Sequence, residues 1–256
     1  MDRLFMIIRL AKNDFKSRYA ASLFGIMWAF IHPIVTILVF WFVFQAGFKS
    51  NPVDDAPYIL WFVVAYVPWI YFNDMMNFGV NALADYSYLV KKVKFNVEYL
   101  PFIRILSSLF VHLFFVLFIF FMFFYYKNPV SSYCIQCLYY SFALTVFTGG
   151  AVLVLSALSV FFRDVSQIVL LVLQIGFWAT PIFWNINDID NKEILKILKL
   201  NPLQYIVTGY RESFIYEVAF WDKPLDTLYF WVSTLIICIL GYWIFKRLRP
   251  HFADEL

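Results

Sequence analysis

Asp85-Tyr-Ser-Tyr-Leu-Val-Lys-Lys-Val-Lys-Phe-Asn-Val-Glu-Tyr-Leu-Pro101 decides how this chain is arranged. It is a polar island between two long apolar runs, and with Lys91, Lys92, Lys94 and the following Arg104 it is the densest basic connection of that kind. Short membrane loops rich in Lys and Arg stay on the cytoplasmic side, because moving cations across is disfavoured. The loop therefore orients every other segment. The whole chain is 63% hydrophobic and only 14% charged, against about a quarter charged in soluble domains, so it reads as a polytopic membrane protein. With 256 residues and about 20 per helical span, one all-α transmembrane domain over 1–256 is expected, with no room for a separate soluble one. The net charge of +3 is small and gives no reason to expect a nucleic-acid partner. The first residues lack a short apolar run ending in small residues, so no cleavable leader is expected.

Working outward from the loop, the pattern predicts six transmembrane helices, at about 23–48, 58–82, 102–126, 133–162, 165–184 and 227–245. Residues 1–20 read as an amphipathic helix lying in the membrane interface. Leu4, Ile7, Ile8, Ala11 and Phe15 share one face at helical spacing, and Arg9, Lys12 and Lys16 share another. The segment 185–226 breaks the rhythm with two half-length amphipathic pieces, about 192–200 and 203–220, the second introduced by Asn201-Pro202. Each is too short or too polar to cross alone, which predicts a re-entrant or surface-lying pair. Cations follow this topology. Arg3, Arg9, Lys12, Lys16, Arg18, the loop lysines, Arg104, Arg163, Lys246, Arg247 and Arg249 fall inside, whereas Lys49, Lys127, Lys192, Lys196, Lys199, Arg211 and Lys223 fall outside. Both termini are then cytoplasmic.

Polar groups inside the spans are few, so their faces are informative. In the first span Trp28, His32, Thr36 and Phe40 share a face; in the fifth Gln167, Gln174 and Trp178 do. These residues are the pore-lining candidates. Neither face carries a fixed charge, and many weak contacts would let a chain slide. In the second span Asn73, Asn77 and Asn81 form a ladder, read as interhelical hydrogen bonding ahead of substrate contact, with the acidic Asp74 beside it. In the fourth, Ser141, Thr145 and Gly149 at spacings of four predict a close helix approach.

Much chemistry is absent. No G-x-x-x-x-G-K-[ST] cradle for nucleotide phosphates occurs, and apart from Asp74 no ionisable relay runs through the spans. Cys134 and Cys137 make one C-x-x-C without a second pair to complete a zinc site, and Cys238 stands apart. Hence no catalytic residue and no metal site are expected, and the chain is not an enzyme by itself. What remains is an aromatic-rich membrane body without an energy source of its own.

At this point the residues resemble a known family. Asp14-Phe-Lys-Ser-Arg-Tyr19 with Ser22, Gly25, Trp28 and Pro33 is similar to the opening of type-two ABC exporter permeases. Leu89-Val-Lys-Lys-Val-Lys-Phe95 with Leu100-Pro101, Phe162-Arg-Asp164, Thr180-Pro-Ile-Phe-Trp184, Asn201-Pro-Leu203 and Tyr210-Arg-Glu212 resemble its later signatures, in order and over nearly the whole chain. The subgroup resembled is the membrane subunit of O-antigen, capsule and teichoic-acid exporters, which moves lipid-linked polysaccharide across the bacterial cytoplasmic membrane. That resemblance implies a homodimer around one path with two nucleotide-binding ATPase subunits, which would hold ATP and Mg; this chain would hold no cofactor. It implies that the interfacial helix, through Arg9, Lys12 and Lys16, and the loop 85–101, through Tyr88, Leu89, Lys91, Lys92 and Lys94, couple to those ATPases. The outer half-helices would be a gate, with Asn201, Pro202, Leu203, Tyr210 and Arg211 as its residues. The alternatives are a drug or small-lipid exporter of the same superfamily and, from another class, an uncoupled channel or scaffold. The aromatic content of 23% leans toward sugar, whose C–H faces stack on aromatic planes.

Overall fold

A computed structural model describes residues 3–20, 22–48, 52–53, 56–91 and 96–256, with the side chains of Arg3, Leu4 and Ala46 not described. Lys49, Lys92 and Lys94, all used in the sequence reading, lie outside the described residues. The all-helical expectation holds, and among the described residues the only β feature is an isolated bridge between Val53 and Ala56.

In order, the helices are α1 (Arg3–Arg18), α2 (Trp28–Trp41, extended by a π-helical turn Phe42–Gly47), α3 (Tyr58–Val80), α4 (Ala82–Asp85), α5 (Ser87–Val90) and α6 (Tyr99–Tyr125). They continue with α7 (Gln136–Phe161), α8 (Asp164–Ala179), α9 (Lys192–Lys199), α10 (Pro202–Arg211, extended by a π-helical turn Glu212–Tyr216), α11 (Pro224–Leu248) and α12 (Phe252–Glu255). Among the described residues five segments are long and apolar enough to cross a bilayer: Gly25–Gln45, Tyr58–Val80, Tyr99–Tyr125, Ser132–Phe161 and Pro224–Glu255.

The fifth expected span, about 165–184, is shorter as a helix than its apolar run. The helix α8 has 16 residues, about 24 Å at 1.5 Å per residue, against a hydrocarbon core of about 30 Å. It stops because Pro181 follows: the residue before a proline is pushed out of the helical region, and Thr180 sits at φ −87°, ψ 137°. Residues 180–184 then run as bends.

The centre of the bundle is α3, which is buried on every side from Tyr58 to Phe72. A helix apolar all round belongs in a core, and α3 packs against α6, α7, α8 and α10. The helices α7 and α11 form an extensive pair, whose closest point is Gly150, where an added Cβ would come within 2.9 Å of the Cys238 backbone nitrogen. The tight crossing thus uses Gly150 and not the neighbouring Gly149 of the predicted stripe. Of that stripe, Ser141 and Thr145 hydrogen-bond to other helices through their side chains. In contrast α2, α8 and α11 keep long exposed apolar flanks, as does one face of α6 at Phe110, Leu113, Phe114, Leu117 and Phe121.

Candidate functional site

Two helices that barely touch, α2 and α8, stand on either side of α3 and leave a groove between them. One wall is His32, Thr36 and Phe40; the other is Gln174, Phe177 and Trp178. The floor is Tyr66, Trp69, Asn73 and Asp74 of α3, and the open volume is about 370 Å³. Five of the predicted pore candidates therefore share one concavity. The other two do not: Trp28 is exposed and packs edge-on against Phe24 at 5.6 Å, and Gln167 lies exposed on α8 without lining the groove. The sequence reading set Asn73 in a polar ladder of the second span with Asp74 beside it but did not place them between these two faces. Its two faces carry no fixed charge, yet Asp74 brings a carboxylate between them, and the Arg18 guanidinium lies near enough to interact with it electrostatically.

Toward the end opposite the basic loop, the groove becomes aromatic. Phe40 stacks on Phe62 at 4.7 Å and meets Phe177 at 5.9 Å, while Trp178 meets Phe183 edge-on at 4.9 Å. A smaller apolar hollow of about 250 Å³ between Val39, Val43, Phe44 and Trp178 continues it.

At the loop end, α1 lies on α6, with Ala11 and Asp14 turned in and Arg9, Lys12 and Lys16 exposed. The buried Asp14 carboxylate is the junction. Arg18 reaches it at 2.7 Å and Arg104 at 2.9 Å, and the Tyr86 hydroxyl donates to it. Arg104 also pairs with Asp85 at 2.5 Å, and Arg18 donates to the Arg104 carbonyl and lies over the Phe78 ring. Burial, reinforced by the Asp14 charge, pushes the Tyr86 phenol up, which keeps it a donor. One network therefore ties α1, the start of the loop and α6 together. Tyr88 and Lys91 are exposed, Leu89 is half-buried, and Lys92 and Lys94 lie outside the described residues.

At the other end, Asn201 caps α10 by accepting from the Leu203 nitrogen at 3.0 Å, with Pro202 in the first turn. Its amide donates to Thr180 at 2.9 Å. Leu203, Tyr210 and Arg211 are buried. Tyr210 joins His112 and Ser141 in a buried hydrogen-bonded cluster, with the His112 ring stacked on Tyr71. Arg211 donates to the carbonyls of Pro181 at 2.6 Å and Ile182 at 2.7 Å, with its guanidinium 3.3 Å from the Trp61 ring centre. Arg211 and Asn201 thus anchor the bend after α8, while Tyr210 ties α10 to α6 and α7. By contrast α9 buries no residue, and its apolar Ile194 and Ile197 are exposed. Among the described residues no group of three or more potential metal ligands occurs.

Residues 6–215 match the ABC-2 type transporter family. Over nearly its full length the chain is similar to proteins named O-antigen export system permease protein RfbA. It is 28% identical to that of Myxococcus xanthus over 255 residues and 26% identical to one of Klebsiella pneumoniae over 257. Each alignment covers 98% of this chain and 95% of the relative.

Proposed function

Because the chain belongs to the ABC-2 type transporter family, we propose that it is the permease subunit of an exporter that carries lipid-linked polysaccharide of the O-antigen kind across the bacterial cytoplasmic membrane. The relatives' names support the substrate class. The observation that carries the mechanism is the groove between α2 and α8, where His32, Thr36, Phe40, Gln174 and Trp178 meet over α3. It is open along one side, and exposed apolar side chains flank it: Val39 on α2, Leu171 and Ile175 on α8. A second copy facing it would turn two half-grooves into one enclosed path. Aromatic planes and amides along that path hold sugar rings by many weak contacts, about 0.5–1.5 kcal/mol per aromatic contact, so no single site stops the chain.

The energy comes from two ATPase subunits, which bind ATP and Mg; this chain supplies no catalytic residue. They dock on the face formed by α1 and α5. Motion received at Tyr88, Leu89, Lys91 or the exposed cations of α1 passes through the Asp14 junction into α6. In the membrane, both termini and the basic loop lie inside, and α8 with the bend 180–184 completes a sixth passage. The exposed helix α9 covers the outer mouth, held in place by the anchor at Tyr210 and Arg211.

Thiol chemistry tests the path. In cells whose surface polymer depends on this chain, attaching a bulky reagent to a Gln174→Cys variant is expected to stop export. Normal surface polymer with that thiol fully modified would remove the groove from the path.

A further inference from the structure

The bend after α8, braced by Arg211, separates the groove from the outer end of the bundle. Beyond it, at the end of the bundle opposite the basic loop, lies a second concavity of about 440 Å³ between α10, the start of α11 and residues 185–187. It runs into a neighbouring hollow through Lys199, Gln204, Thr208, Glu212, Lys223 and Asp226, which line both. We propose that this cleft is a saccharide-binding site, where a hydroxyl-rich stretch of polymer emerging from the groove is held before release. The proposal rests on the polysaccharide-export reading.

The helix α10 is built for two different environments. Leu203, Ile206, Val207 and Tyr210 are buried in the bundle, whereas Asn201, Gln204, Thr208 and Glu212 form a polar stripe at helical spacing on its cleft side. Two members of the stripe serve the fold, Asn201 through its cap and its bond to Thr180 and Glu212 through its pair with Lys223; the two between them do not. The Gln204 amide and the Thr208 hydroxyl have no hydrogen-bond partner among the described residues. An amide and a hydroxyl together offer donors and acceptors, as a polyol requires.

Charge argues for a neutral or zwitterionic ligand over an ion. Lys199 and Lys223 face Glu212 and Asp226 across the same space, and the buried Glu212 is already paired with Lys223. An anion would be drawn by the lysines and repelled by the carboxylates, and a cation the reverse. Volume agrees as well, since ligand pockets run from about 300 to 1,000 Å³. Location supplies the last argument: Asn185 and Asn187 of the cleft come two and four residues after Phe183, whose ring meets Phe40, Phe177 and Trp178 of the groove.

The test uses the whole transporter in cells making their own polymer, with Cys134, Cys137 and Cys238 replaced by serine. Single cysteines are placed at Gln204 in the cleft, Gln174 in the groove and Lys127 in a turn lining neither. Each is labelled from outside with a membrane-impermeant maleimide, with polymer synthesis running or shut off. Polymer is expected to slow labelling of Gln204→Cys at least threefold and to leave Lys127→Cys unchanged. If Gln174→Cys is protected and Gln204→Cys is not, or if Gln204→Cys is unlabelled in both states, the cleft proposal falls while the export reading stands. If deleting the chain leaves surface polymer intact, the export reading falls and takes the cleft with it. Thr208→Cys replaces Gln204→Cys if the latter does not accumulate.

Discussion

At the scale of single residues, Asp14 bears the most. It is fully buried and faces two guanidiniums and a phenol, so its loss leaves buried positive charge without a partner, a change that costs about 3–5 kcal/mol in comparable pairs. Asp14→Ala is therefore expected to lower the unfolding midpoint of the detergent-solubilised chain sharply, and Asp14→Asn, which keeps the shape and an acceptor, to fall between it and the parent. Equal midpoints for all three would show that the junction contributes nothing. The sequence displayed each of these residues but not their meeting. Asp14 belongs to the amphipathic helix, Asp85 and Tyr86 to the basic loop, and Arg104 to the next apolar run; a contact between distant segments leaves no periodic signal. The five groove residues were legible because helical spacing alone puts His32, Thr36 and Phe40, or Gln174 and Trp178, on one face. The floor was legible only as the ladder that begins at Asn73 with Asp74 beside it, since which side of the central α3 turns to the groove depends on three-dimensional packing.

Among elements, the bend after α8 and the coupling surface carry separate predictions. The bend exposes carbonyls that no helix satisfies, and Arg211 meets two of them with a fork while lying on Trp61. Lysine has the charge but neither the plane nor the paired donors. Arg211→Lys is thus expected to behave like Arg211→Ala, each lowering the amount of folded chain in the membrane several-fold on an immunoblot; rescue by lysine would mean that charge alone suffices. At the other end, Tyr88 is exposed and Leu89 half-buried, and changing both to alanine removes docking surface without altering charge. That variant is expected to assemble at normal level yet lose most polymer-dependent stimulation of the ATPase, measured on the purified complex. Full stimulation would move the coupling contact elsewhere. The half-helices were legible from their amphipathic spacing and from Asn201-Pro202. Their anchoring was not, because Arg211 reads in sequence as an outside cation and only the fold shows it turned inward onto carbonyls.

For the whole molecule, the question is what covers the exposed apolar rims of the groove. Lipid would satisfy Val39, Leu171 and Ile175, but it would leave His32, Thr36, Gln174 and Asp74 facing hydrocarbon, where unsatisfied polar groups are costly. The proposed second copy would resolve both demands, burying the rims at the contact and enclosing the polar wall around water and polymer. Two identical chains related by a twofold axis place each rim residue near its own counterpart or near the opposite rim. Cysteines at Val39 and Leu171, introduced singly into the chain without its native thiols, should therefore form dimers with a short bifunctional reagent in native membranes. A cysteine at Leu117, on the exposed face of α6 away from the groove, should not. Dimers from Leu117→Cys alone would put the interface on α6 and leave the groove open to lipid. Enclosure also sets the size of a functional defect. Trp178→Ala removes one aromatic plane per copy from a path of many, so export is expected to slow by a few-fold, read as surface polymer per unit time, while the cross-link at Val39 still forms. Complete loss of export with the dimer intact would instead make Trp178 a point the polymer must engage, contradicting a path of many weak contacts.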